Sequence, residues 1–351
     1  MELDTIFKGD TGAYLPTLPA GTVDLVVSSP PYNLGKEYES RKALQHYIEE
    51  QTVVLRECCR LLKNTGSIFW QVGSYSEDGT LIPLDIRFFP VLEGFGMRPR
   101  NRIVWARQHG LHGRRKFSCR YETILWFTKT DEFTFNLDAI RVPQKYQNKK
   151  AHKGERKGEY TCNPEGKNPG DIWLFRNVKH NHEEQTIHPC QFPEDLVARI
   201  VLATTTDGGI VLDPYMGAGT VAVVARDHNR HFLGAELDPE YHKIAERRLA
   251  GEPDENGRFP NLKTLRNYVQ RHGKPAHLYK FDMQVGKYAT EREKAKIYSE
   301  EHHLAEFEER LSYEEMAFAC KTRGEQVPVD PKLNGSGKPT PVMSKTPSLF
   351  D

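Results

Sequence analysis

Ser29, Pro30, Pro31 and Tyr32, in the segment VDLVVSSPPYNLGKEY, are the residues of this chain whose types and spacing best suit chemistry. Two consecutive prolines cannot continue a strand ladder, and they hold an extended, rigid loop in which the Pro30 carbonyl meets few local donors. If the Ser29 hydroxyl and the Pro30 carbonyl each accept a hydrogen bond from one amino group, they hold its nitrogen lone pair toward an electrophile while Tyr32 stacks on the attached ring. Such a site works by positioning. Near-attack alignment in a water-poor pocket supplies the acceleration, and no nucleophilic cysteine is required. Taken alone, Ser-Pro-Pro is also an ordinary strand-ending turn.

A second constellation lies in IVLDPYMGAGTVAVVA followed by RHFLGAELDPEYHKIAERRL. It reads as strand, glycine-containing turn, helix, second strand and a terminal acidic residue, which is half of a nucleotide-binding fold. Gly217 and Gly219 let the backbone approach a ligand, and Glu236, about 20 residues on, is placed to accept hydrogen bonds from ribose hydroxyls. Asp213 stands directly before the glycines. A carboxylate there disfavours pyrophosphate and suits a cationic ligand, although it can also cap the following helix.

Together these segments resemble the amino-methylating DNA methyltransferases of bacterial modification systems. The family's catalytic signature is Asp, Asn or Ser followed by Pro-Pro and an aromatic residue, matched by Ser29 to Tyr32. Its cofactor signature resembles DPFxGxGT, matched by Asp213, Pro214, Tyr215, Gly217, Gly219 and Thr220, with Tyr215 in place of the usual Phe. The catalytic signature comes first in the chain, as in the permuted arrangement called the β class. HPCQFPEDL, from His188 to Leu196, is similar to the helix start that closes over the cofactor in that class, and Asp10 in FKGD is similar to a cofactor-adenine contact. The resemblance spans Leu3 to Leu249. It implies an α/β, Rossmann-like, circularly permuted fold that uses S-adenosylmethionine, flips one base of double-stranded DNA and methylates its exocyclic amine. A leading Ser is commoner in the family among cytosine-N4 enzymes and Asp among adenine-N6 enzymes, so the resemblance leans slightly to cytosine. An RNA base, a protein glutamine amide, or a DNA-binding protein that has lost catalysis are the competing readings.

Two basic clusters lie between the signatures, where the family carries its target-recognition region. One contains His112, Arg114, Arg115, Lys116 and Arg120. The other has seven basic residues between Arg141 and Glu159 (Arg141, Lys145, Lys149, Lys150, Lys153, Arg156 and Lys157) against two acidic ones. Such groups neutralise phosphates while neighbouring Asn, Gln and Arg side chains read base edges; the bland alternative is a solvated surface. The whole chain offers no such argument, because 49 Lys and Arg stand against 48 Asp and Glu for a net charge of +1. The run Arg120, Tyr121, Glu122 and the segment Lys167 to Trp173 fall near the pocket by resemblance, with no chemical role assigned, and Trp173 is read as packing. His182 and His188 lack ligand-spaced partners, so no metal is expected. The six cysteines show no metal-binding spacing, and no disulfide is expected.

The elements that must position these groups are legible as short apolar runs alternating with helical patterns. Strands are expected at Val23–Ser29, Gly66–Gly73, Arg102–Arg107, Thr123–Thr128, Ile210–Pro214 and His231–Leu237, and helices at Leu44–Lys63, Pro193–Thr204, Ala218–His228 and Pro239–Leu249. That alternation argues for a largely parallel sheet. Residues 1–130 would form the catalytic half, 131–185 an inserted target-recognition region, 186–250 the cofactor half, 251–324 a helical extension and 325–351 a tail rich in Pro, Gly, Ser and Lys. Thr290 with Glu293 and Ser312 with Glu315 have capping-box spacing. Leu304, Phe307 and Leu311 form a stripe that leaves homodimerisation open, as the family leaves open a cognate restriction endonuclease. With no signal-peptide pattern and no long apolar run, a cytoplasmic protein without membrane association is expected.

Overall fold

The computed structural model describes residues 1–33, 35, 41–77, 79–107, 113–143, 149–178, 182, 184–254, 316–318, 320–322 and 324. In chain order these form β1 (Thr5–Lys8), α1 (Thr11–Tyr14), β2 (Val23–Ser28), α2 (Leu44–Leu61), β3 (Leu62–Val72), β4 (Ser74–Glu77), β5 (Thr80–Pro83), α3 (Leu84–Gly94), β6 (Arg98–Ala106), β7 (Tyr121–Thr128), α4 (Leu137–Ile140), β8 (Ile172–Trp173), α5 (Glu194–Thr204), β9 (Ile210–Asp213), α6 (Thr220–Asp227), β10 (His231–Glu236) and α7 (Pro239–Ala250).

The main sheet has the order β1-β10-β9-β2-β3-β7-β6-β8. Every neighbouring pair is parallel except the two made by β7, so β7 alone runs against the rest. β2 sits at the centre, and its Val23, Leu25, Val26 and Val27 are buried, as a strand covered on both faces requires. Leu25 and Val27 pack with Val197 and Val201 of α5 and Val221 and Ala222 of α6. Val26 packs on the opposite face with Leu55 and Cys58 of α2 and Phe88 of α3. The result is a three-layer α/β/α sandwich. Each such buried aliphatic side chain contributes about 1.5–3 kcal/mol relative to exposure.

From β2 the chain crosses through α2 to β3 on one side; from β9 it crosses through α6 to β10 on the other. The sheet therefore reverses its order of winding between β9 and β2, and a crevice opens outside their carboxyl ends, the usual ligand site of such sheets. The permuted order puts the two signatures at the tips of these adjacent strands.

Element boundaries depart from the sequence reading in explicable ways. Helix α6 begins at Thr220, two residues after the expected Ala218, because Gly219 has φ +78° and cannot be helical. α2 stops at Leu61 because Leu62 is already extended and starts β3, pairing with Val23 before the register shifts. The segment 131–185 is woven into the domain at both ends: Ile140 and Val142 are buried, and Trp173 is buried within β8, its Nε1 donating to the Gly170 carbonyl at 2.9 Å. Near the far end of the chain, Met316–Phe318 and residues 320–322 are helical. Phe318 is fully buried there, its ring centroid 4.4 Å from the guanidinium of buried Arg199, which also faces Phe175 and Trp173. The expected helix at Thr290, the stripe Leu304, Phe307 and Leu311, the tail 325–351, and the basic residues Lys145 and His112 lie outside the described residues. Among the described residues no helix is long and apolar enough to cross a membrane.

Candidate active site

At the crevice, Ser28 at the tip of β2 donates its hydroxyl to Asp213 Oδ1 at the tip of β9, at 2.5 Å. The same oxygen accepts the Tyr215 N–H at 3.0 Å. Asp213 is thus turned inward, and it stitches the two signature loops together. Burial pushes its carboxyl up to about 7, with the bonds from Ser28 and Tyr215 opposing the shift and Glu236 adding to it.

The loop after β2 is held rigidly. Tyr47 of α2 donates to the Pro31 carbonyl at 2.6 Å. Asn33, in the left-handed region at φ 60°, pairs its amide with the backbone of Lys42 in both directions at 2.7 Å. Among the described residues the Pro30 carbonyl accepts no hydrogen bond, so it stays available as an acceptor at the cleft. The Tyr32 ring lies against Gly73, where a Cβ would come within 3.0 Å of it.

Tyr32 also sets the polarity of a short proton chain. Its hydroxyl lies 3.1 Å from Glu122 Oε2 and 3.2 Å from Ser29 Oγ. Glu122 is ion-paired with Arg107 at 2.8 Å and accepts from the Gln71 amide, so the carboxylate is an acceptor for the phenol. Burial, with Glu122 beside it, drives the Tyr32 phenol well above its ordinary value and keeps its proton in place. With that O–H donating to Glu122, Tyr32 accepts from Ser29, and both lone pairs of the Ser29 oxygen remain for an incoming amine.

On the other side of the cleft, Glu236 Oε2 accepts the Gly217 N–H at 2.7 Å and Oε1 accepts the Asp238 N–H at 2.8 Å. Burial raises this carboxyl from its usual range, opposed by those two bonds. Gly217 has φ +54°, and a Cβ there would meet His188 Nε2 at 3.1 Å. The His188 ring stands edge-on to Tyr241 at 4.5 Å. Gly219 is different: its close approach is to Ala245 of α7, with a hypothetical Cβ at 2.7 Å, so it serves helix packing. Arg248, fully buried, bonds the Ala218 carbonyl at 2.7 Å, Thr220 Oγ1 at 2.8 Å and Glu194 at 2.8 Å, tying the glycine loop to α5 and α7.

These groups share one cleft of about 380 Å³. It is lined by Asp10, Ser29, Pro30, Pro31, Tyr32, His188, Asp213, Pro214, Tyr215, Gly217, Thr220 and Glu236, which brings together every catalytic and cofactor candidate read from the sequence except Gly219. Gln191 and Phe192, from the expected His188–Leu196 segment, also line it, as do Gly9, Thr11 and Tyr241, which were not singled out. Thr11 Oγ1 is buried beside the cleft with no hydrogen-bond partner among the described residues. The basic candidates lie elsewhere. Arg114, Arg115 and Lys116 are exposed and Arg120 is half-buried, in the loop between β6 and β7. Lys149, Lys150, Lys153 and Arg156 are exposed on a small turn closed by the Lys150–Tyr160 bridge, where Arg156 pairs with Glu159 at 3.0 Å.

Comparison with known proteins agrees with this geometry. A family model described as DNA methylase matches residues 23–247. The Type II methyltransferase M.BglII of Bacillus subtilis is 55% identical over 328 residues, spanning 92% of this chain and 91% of the relative. The DNA adenine methyltransferase YhdJ of Escherichia coli (strain K12) is 35% identical over 255 residues, spanning 71% and 83%. Among solved structures, the PvuII DNA methyltransferase (cytosine-N4-specific) superposes with a TM-score of 0.56 at 19% identity, covering 69% of this chain and 84% of that one. At that identity the likeness is one of fold.

Proposed function

The chain belongs to the amino-methylating DNA methylase family, and from that premise we propose that it methylates the N4 amine of a flipped cytosine within a specific duplex sequence. It is a DNA methyltransferase whose methyl donor is S-adenosylmethionine. When bound, that donor supplies a methyl group activated by a sulfonium centre. The cleft suits it: the unpartnered Thr11 hydroxyl and the carboxylate of Glu236 offer polar contacts, and the glycine at 217 leaves backbone accessible beside His188. Asp10, His188, Pro214, Tyr215, Gly217 and Glu236 would hold it, with Asp213, Gly219 and Thr220 shaping the loop.

The observation that carries the acceptor side is the pair of open acceptors, Ser29 Oγ and the Pro30 carbonyl, on one wall of the cleft that the cofactor loop forms on the other. Accepting both N–H bonds of an exocyclic amine leaves its lone pair directed across the cleft. The nitrogen then forms the new N–C bond as the donor's S–C bond breaks and its electron pair stays on sulfur, and the surplus proton on the nitrogen passes to solvent. Tyr32 stacks on the base, and Arg114, Arg115, Lys116, Arg120 and the cluster from Lys149 to Arg156 position the phosphates. The Ser at position 29 favours cytosine. A second reading, adenine N6, is favoured by the 35% identity to a DNA adenine methyltransferase. The Type II names of relatives support a role in restriction-modification, with a cognate endonuclease as the expected partner.

The test is to incubate the purified chain with unmodified DNA and labelled S-adenosylmethionine and to separate the product nucleosides. Label in N4-methylcytosine supports the proposal. Label in N6-methyladenine moves the assignment to the second reading.

A further inference from the structure

Phe117 is completely exposed, whereas the next most exposed large hydrophobic side chain among the described residues, Leu237, is at 66%. The described residues around Phe117 are held by specific bonds. The Arg107 N–H donates to the Arg120 carbonyl at 2.6 Å across the neck, and the Gly113 N–H donates to Ser118 Oγ at 3.0 Å near the tip. Gly113 is packed so closely against the Lys116 carbonyl that a Cβ there would stand 2.4 Å from it, so the turn that presents Phe117 is tight.

The loop leaves the carboxyl end of β6 and enters β7. Because β6 runs in the same direction as β2 and β9, the loop springs from the sheet edge that carries Ser29 and Asp213. Its return strand begins with Tyr121 and Glu122, and Glu122 hydrogen-bonds Tyr32 in the cleft. Phe117 is flanked by exposed Arg114, Arg115 and Lys116. An exposed ring amid cations is a poor match for an apolar protein partner. It matches a polyanion with a stack of aromatic rings inside it, where cations engage the backbone and an apolar wedge enters between bases.

We propose that Phe117 is the wedge that enters the duplex beside the target base and fills the space that base vacates, stabilising the flipped state in which Ser29 and Pro30 meet the amine. This deepens the function proposed above and rests on it. Phe117 touches no reacting atom; it acts on the position of the base.

Full-length wild type, Phe117→Ala and Phe117→Trp are assayed with labelled S-adenosylmethionine on two duplexes carrying the sequence that the chain modifies in host DNA. In one the target base is normally paired; in the other it faces an abasic site, so flipping needs no help. Phe117→Ala should lose about tenfold or more in methyl transfer on the paired duplex and stay within about twofold of wild type on the abasic one, with Phe117→Trp active on both. Full activity of Phe117→Ala on the paired duplex overturns the wedge. So does an equal loss on both duplexes, which, with a lowered melting temperature, assigns Phe117 to folding. Host DNA left without any methylated base amine, so that no target sequence emerges, overturns the amino-methylation reading itself, and the wedge with it.

Discussion

Ser28 and Asp213 stand 185 residues apart in the chain and 2.5 Å apart in the fold, and their hydrogen bond joins the acceptor loop to the cofactor loop at the point where the sheet reverses its winding. Ser28 is fully buried. Ser28→Ala leaves a buried carboxyl oxygen short of a donor and should cost about 1–3 kcal/mol of stability. Urea unfolding measures this, and S-adenosylmethionine affinity should weaken in parallel. An unchanged unfolding midpoint would show that the two loops are held without this bond.

Asp213 also makes stability depend on pH. Its carboxyl ordinarily titrates at 3.8 and here at about 7, chiefly because of burial. The folded chain holds the proton more tightly than the unfolded chain, so this contribution is complete below the ordinary value and is lost as pH rises through about 7. Asp213→Asn removes it, while Glu184 and Glu236, raised in the same direction, remain in both proteins. Wild-type stability without ligand should therefore fall more steeply between about pH 4 and 7 than that of Asp213→Asn. Parallel profiles would contradict the assignment.

Two glycines separate backbone strain from collision. Gly21 has φ +67° and nothing within 4 Å of a hypothetical Cβ, whereas Gly219 has φ +78° and Ala245 at 2.7 Å. Gly21→Ala should lose about 1–2 kcal/mol from strain alone. Gly219→Ala should lose about 1–3 kcal/mol more, as α7 is pushed from the glycine loop. Equal losses by chemical unfolding would mean that Gly219 does not seat α7.

The exposed turn carrying Lys149, Lys150, Lys153 and Arg156 is proposed to bind phosphates. Alanine at any one of them should lower the slope of log affinity against log salt by about 1 for each phosphate no longer neutralised, without changing which site is modified. An unchanged slope in the fourfold variant would remove this turn from the DNA surface.

The parts of the architecture that carry the site were legible because their strands are apolar runs and their turns are glycine or proline signals. What escaped was local. β1 is four residues, TIFK, with Phe7 partly exposed, too short for a periodic signal. β6 opens as Arg-Pro-Arg-Asn-Arg, which reads as a loop; its ladder with β7 holds it as a strand, with Arg98 and Arg100 paired to Asp131 and Arg102 to Asp85. Helix α3 contains Pro90, a residue that argues against a helix interior. Within the site, Thr11 and Arg248 gave no signal in type or spacing. Glu122 stood out by position, but its role depends on Tyr32 and Arg107 reaching it through the fold.

Presentation of a base amine to the methyl donor by Ser29 and Pro30 is the step on which the proposed function turns. Wild type and Ser29→Ala should each be expressed in a host without DNA modification, and that DNA read for both N4-methylcytosine and N6-methyladenine. Wild type should leave a single motif bearing N4-methylcytosine, and Ser29→Ala should lose about a hundredfold or more in transfer at unchanged S-adenosylmethionine affinity. Undiminished methylation by Ser29→Ala, or no modified base with wild type, would contradict that role.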